Sequence, residues 1–95
     1  MSYSFVDGYS SFIDYIQKPS AYGFVDVETA CCGRGKLNAE DACRPNTTYC
    51  SDRNSRVFWD ANHPTERVYR VFTDTIFDGA PPYVMPVNVR NLVGL

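Results

Sequence analysis

A small mixed α/β fold with a disulfide-stapled loop follows from three features of this 95-residue sequence. Aromatic or apolar residues alternate with polar ones through Tyr3-Ser4-Phe5-Val6-Asp7, which is the two-residue period of a strand. Val68, Val71, Phe72, Thr75 and Ile76 recur at spacings of three and four, which is the period of an amphipathic helix. Between them, Cys31, Cys32, Cys43 and Cys50 crowd into one segment otherwise rich in glycine, asparagine and charge. A chain of this length holds one domain at most. Hydrophobic residues at 44% against 21% charged exclude a disordered chain.

The elements follow in order. Gly8 breaks the first strand, and Ser10 or Ser11 is positioned to cap a helix carrying Phe12, Ile13 and Ile16 on one face. Lys18-Pro19 stops that helix, because proline disfavours the α conformation of the residue before it. Gly23 to Val27 reads as a second short extended piece. From Cys31 to Arg56 a long loop has too little apolar content to bury itself, so its cysteines must hold it. Adjacent cysteines are too strained to bond each other, so Cys31 and Cys32 each take one of Cys43 and Cys50, in an order the sequence leaves open. Val57-Phe58-Trp59 returns the chain to a core, and Asp60 to His63 forms a turn. Pro64 is then expected to open a helix that ends at Asp78-Gly79, with Glu66 in its first turn. The tail from Ala80 to Leu95 is expected to be extended. Phe5, Val57, Phe58, Val68 and Phe72 are expected to lack packing partners, which implies weak stability, self-association or dependence on the disulfides.

Charge and hydropathy exclude several partners. The formal net charge is -2 with no basic cluster, so nothing provides a footprint for nucleic acid. The longest uncharged stretch, Gly79 to Val89, is interrupted by Pro81, Pro82 and Pro86, and reads as no membrane span. The first residues carry neither a basic region nor an apolar run, so no signal peptide is expected there. The four cysteines and the glycosylation pattern Asn46-Thr47-Thr48 point instead to an oxidising compartment. A chain lacking its front end would reconcile the two.

His63 is the only histidine, so any imidazole chemistry must use it. Asp60, three residues earlier in a turn, can fold back onto Nδ1, fix the tautomer and leave Nε2 as a base. A nearby helix start disfavours the imidazolium, so a base placed there benefits from the carboxylate. The same residues also suit a structural reading, in which Asp60 or Asn62 caps the helix and His63 is idle. A cysteine nucleophile paired with His63 conflicts with disulfide use of the cysteines. A zinc site conflicts with the Cys31-Cys32 neighbour spacing.

The string Trp59-Asp60-Ala61-Asn62-His63-Pro64-Thr65-Glu66 resembles the last block of the plant GDSL esterases and lipases, within the SGNH hydrolase superfamily. In that block a Trp-Asp pair, two variable residues and His-Pro-Thr-Glu follow one another. Val6-Asp7-Gly8-Tyr9, Ile16-Gln17-Lys18-Pro19, Tyr22-Gly23-Phe24 and Ala30-Cys31-Cys32-Gly33-Arg34-Gly35 are similar to further segments of the family, in the same order. Cys43 and Cys50 match its later cysteines, and Phe77-Asp78-Gly79 with Pro86-Val87-Asn88-Val89 resemble its carboxyl end.

The resemblance implies that residues 1–95 are the carboxyl-terminal part of a three-layer α/β/α domain with a mainly parallel sheet. It implies hydrolysis of carboxylic ester or lipid substrates without metal or cofactor, in an extracellular setting. His63 would be the general base, Asp60 its orienter, and Trp59 a hydrophobic anchor beneath the turn. The family's Gly-Asp-Ser nucleophile block does not occur in these residues. Nor do its oxyanion glycine and Gly-x-Asn-Asp blocks, since Asn38, Asn54, Asn62 and Asn88 lack that context. The chain alone is therefore expected to be inactive. The competing reading is a small secreted, disulfide-stapled protein that binds through the Cys31 to Cys50 loop and catalyses nothing.

Overall fold

In the computed structural model, which describes residues 2–94, strand β1 spans Ser4–Val6 and pairs antiparallel with β2, Val84–Pro86. Met1 and Leu95, the ends of the amino-terminal and tail readings, lie outside the described residues. Val6 sits opposite Val84, which is buried, while Phe5 and its partner Met85 face outward. The tail, expected to be extended, thus supplies the partner of the first strand.

Helix α1 spans Gly8–Gln17. Its cap is Asp7, correcting the expectation of Ser10 or Ser11. The Asp7 carboxylate accepts from Ser10 N–H at 3.0 Å and from the Ser10 hydroxyl at 2.8 Å. Asp is as good a cap as Ser, and here its earlier position wins. Gly8 accordingly begins the helix. The inward face centres on Tyr15, flanked by Phe12 and Ile16. Lys18 ends the helix as expected, and a 3-10 turn follows at Pro19–Tyr22. The Asp14 carboxylate accepts hydrogen bonds from the Tyr22 and Tyr83 hydroxyls, tying α1 to the chain on both sides. Gly23 to Val27 reduces to one bridging residue, Asp26, paired in parallel with Arg56.

Helix α2 spans Glu66–Asp78 and is capped by Thr65, so Pro64 lies outside it, contrary to expectation. Pro64 instead bridges Phe58, closing the Trp59 to His63 turn. The Thr65 hydroxyl donates to Arg56 C=O at 2.7 Å and accepts from Val68 N–H at 3.4 Å. Thr65→Ala removes the cap and the hydrogen bond to the half-buried Arg56 carbonyl, so it is expected to cost ~1–2 kcal/mol in urea denaturation. Thr73→Ala, on the exposed face of the same helix, is expected to stay within about 0.5 kcal/mol. An equal loss in both would refute the cap's contribution. Helix α3, Val89–Leu92, is a single turn capped by Asn88, where an extended tail was expected.

Tyr15, Phe24, Val57 and Val68 form the buried cluster, with Val57 0% exposed. This corrects the expectation for Val57 and Val68, which find partners on α1 and beside the 3-10 turn. Phe58 and Phe72 are half-buried, while Phe5 remains exposed together with Tyr3 and Tyr9. The cluster is small for the chain. The radius of gyration is 15.4 Å, against about 12 Å for a globule of this length.

Both disulfides form, Cys31–Cys50 and Cys32–Cys43, which settles the connectivity. Gly33 follows the pair at φ +154°, and a Cβ there would meet Asn38 O at 1.9 Å, so only glycine lets the loop fold back. Arg56 closes the loop's far end. Its side chain reaches Thr29 and Ala30 C=O at 3.4 Å and Asp52 at 3.0 Å.

Candidate active site

The turn between Val57 and α2 is shaped by its backbone. His63 C=O accepts from Trp59 N–H at 2.9 Å and from Asp60 N–H at 3.3 Å, which folds His63 back beside Asp60. His63 Nδ1 then lies 2.8 Å from Asp60 Oδ1. Oδ1 also accepts from Asn62 N–H at 2.8 Å, and Oδ2 accepts from Cys43 N–H at 3.0 Å. The carboxylate is thus held at both oxygens. The Asp60 side chain is 4% exposed and that of His63 63% exposed, so the pair runs from inside the protein to its surface.

Burial pushes the Asp60 carboxyl up, but the hydrogen bonds from Cys43, Asn62 and His63 reverse this and leave it at about 2. Asp60 is therefore ionised at neutral pH and does not compete for the proton. An ionised carboxylate on Nδ1 fixes the tautomer with the proton on Nδ1 and the lone pair on Nε2. Nε2 makes no hydrogen bond among the described residues. His63 borders a groove of about 540 Å3 whose walls also include Arg53, Trp59, Pro64, Glu66 and Tyr69. The arrangement can accept a proton from a hydroxyl presented in that groove and stabilise the resulting imidazolium.

Neither Asp60 nor Asn62 caps α2, because Thr65 does. The capping explanation of Asp60 and Asn62 is thereby removed. Trp59 is only half-buried and forms part of the groove wall, with the Arg53 guanidinium 5.7 Å from its ring and from that of Tyr49. All four cysteines are in disulfides, so none is a free thiolate for nucleophilic attack or zinc ligation. Asn46 is exposed on a turn closed by Thr47 N–H to Arg44 C=O at 3.0 Å. Among the described residues, no helix is long and apolar enough to cross a membrane. Arg53, Tyr69 and the Cys43 amide escaped the sequence reading. Arg53 and Tyr69 carry no motif, and the contact of Cys43 with Asp60 spans 17 residues.

The depressed carboxyls set a pH dependence. Asp60 has a folded value below the ordinary aspartate value, so its contribution is present above about 4 and lost as pH falls toward 2. Asp7, Asp14, Asp26 and Asp78 act in the same direction, held down chiefly by Ser10, Tyr83, Thr29 and Arg90. Stability is expected to fall between about pH 4 and 2, with Asp60 alone contributing ~1–2 kcal/mol. Urea midpoints that do not change across pH 4 to 2 would contradict this.

No family model matches the chain. Curated relatives do. It is 42% identical over 82 residues to GDSL esterase/lipase At4g28780 of Arabidopsis thaliana, covering 86% of this chain and 22% of that protein. It is 42% identical over 94 residues to GDSL esterase/lipase At5g55050 of the same plant, covering 98% of this chain and 25% of that protein. GDSL esterase/lipase LTL1 is 37% identical over 83 residues, covering 87% of this chain and 23% of that protein. The chain belongs to the GDSL esterase/lipase family. It spans at most a quarter of the length of these relatives, and it matches their carboxyl-terminal portion. The small mixed α/β architecture is compatible with a piece of a GDSL fold.

Proposed function

We propose that residues 1–95 are the carboxyl-terminal part of a GDSL esterase/lipase domain and supply the base half of a Ser-His-Asp triad for carboxylic ester hydrolysis. The observation that carries this reading is the 2.8 Å contact between His63 Nδ1 and an ionised, buried Asp60, with Nε2 unpartnered among the described residues. His63 Nε2 would take the proton from a serine hydroxyl as it attacks the ester carbonyl, then return it to the departing alkoxide. Water would repeat the cycle on the acyl-enzyme. The serine and the oxyanion donors would come from polypeptide outside these residues, since no Gly-Asp-Ser occurs within them. The complete domain would be the three-layer α/β/α fold. Two disulfides and an exposed Asn46 favour an extracellular, glycosylated setting.

The test is a graft. This chain replaces the matching segment of the At5g55050 protein, and a short-chain aryl ester is offered to the graft and to the isolated oxidised chain. The graft is expected to hydrolyse the ester, and the isolated chain to show no turnover above its own His63→Ala variant. Histidine-dependent turnover by the isolated chain would refute the division of the triad. A folded but inactive graft would refute the esterase reading.

A further inference from the structure

The disulfide between Cys32 and Cys43 grips the dyad's carboxylate residue from two directions. Cys32 N–H donates to Trp59 C=O, immediately before Asp60, at 2.7 Å. Cys43 N–H donates to Asp60 Oδ2 at 3.0 Å. One covalent link therefore joins Cys32, hydrogen-bonded to the residue before Asp60, to the donor that orients the Asp60 side chain. No side chain between the two cysteines, residues 33–42, is buried, so on that side the disulfide alone holds Cys43 in place. The other disulfide is differently connected. Cys31 N–H bonds Phe58 C=O, Cys50 N–H bonds Cys31 C=O, and neither touches the Asp60 side chain.

We propose that Cys43 is a positioning residue for the dyad, its backbone N–H pinned to Asp60 by the Cys32–Cys43 disulfide, so that this bond sets the carboxylate's orientation toward His63. The inference rests on the reading of Asp60 as the orienter of His63. It also makes the site redox-sensitive. A dithiol gives two electrons and two protons to the bond, which opens to two cysteine thiols as the dithiol closes to its own disulfide. The Cys43 amide is then free to leave Asp60. The groups facing Asp60 are His63, Asn62 N–H and Cys43 N–H, with Arg53 and Glu66 on the groove walls.

The experiment follows the Asp60 carboxyl by carbon NMR across pH in the oxidised 95-residue chain. Its midpoint is expected at about 2, and unchanged in Cys31→Ser/Cys50→Ser. In Cys32→Ser/Cys43→Ser it is expected to rise toward the ordinary aspartate value. An unmoved midpoint in that variant, or equal movement in both, would overturn the proposal. The unmutated chain supplies a second measurement that needs no variant to fold. The Cys43 amide proton shift is expected to titrate with the Asp60 midpoint, and a flat Cys43 response would overturn the proposal. Neither readout involves an ester, so an inactive graft beside these shifts would refute the esterase reading and uphold the tether.

Discussion

In the At5g55050 graft, His63→Ala is expected to lower kcat by about 10^4- to 10^6-fold, because members of a triad act as a unit. The loss is expected with little change in stability, since the imidazole is largely exposed and its one described hydrogen bond goes to Asp60. Asp60→Asn is expected to cost about 10^4-fold, and the hydrogen bonds give the reason. With the new amide oxygen at the Oδ2 position, it accepts from Cys43 N–H and turns its NH2 toward His63 Nδ1. The ring must then accept at Nδ1 and carry its proton on Nε2, where no base remains. With the amide flipped, NH2 opposes the Cys43 N–H and a buried donor pair is left unsatisfied. In both arrangements the neutral amide no longer stabilises the imidazolium, so kcat falls. Steady-state kinetics with a short-chain aryl ester check both variants, and retention of a tenth of the wild-type kcat in either would contradict the assigned roles.

Reduction of both disulfides is expected to abolish cooperative folding of the isolated chain. The two loops have sequence separations of 19 and 11. Each closure contributes about 3 kcal/mol in the chain-entropy account, or about 6 kcal/mol together. Small domains have total stabilities of about 5–15 kcal/mol, and this chain buries only a small cluster around Tyr15, Phe24, Val57 and Val68. Tyr9 at 78% exposed, with Phe5 and Tyr3 beside the sheet, leaves aromatic surface uncovered. The oxidised chain is expected to show a cooperative thermal transition, and the reduced chain a broad, low-amplitude one. A cooperative transition in the reduced monomer within a few degrees of the oxidised midpoint would contradict this account.

What was legible in the sequence was local. The alternation before Gly8, the stop at Lys18-Pro19 and the stripe on α2 depend on neighbours within a turn or two, and all three are found. The caps were misplaced because capping residues competed within a few positions. Asp7 stands three residues before Ser10, and Thr65 directly follows Pro64, so residue preference alone does not choose between them. The fate of Val57 was hidden for a different reason. Its partners Tyr15 and Phe24 lie more than thirty residues away, and helix periodicity at α1 pointed to Ile13 where Tyr15 is buried. The site divides in the same way. Asp60 and His63 are three residues apart and share a turn, so spacing permits the pair, and the wider string from Trp59 to Glu66 is what points to it. The amide of Cys43 and the wall made by Arg53 and Tyr69 come from other segments, and no spacing rule brings them to the turn.

The central claim is that His63 activates a serine held outside these 95 residues. The most direct measurement is the rate at which an aryl phosphonate labels the graft's serine, compared with the same graft carrying His63→Ala. Because the reagent reacts once with an activated hydroxyl, the rate reports base assistance without substrate turnover. Stoichiometric labelling at one serine, slowed about 10^3-fold or more by His63→Ala, is the predicted result. Labelling at the same rate in both grafts would contradict the account, and would leave the Asp60–His63 contact as a feature of the turn alone.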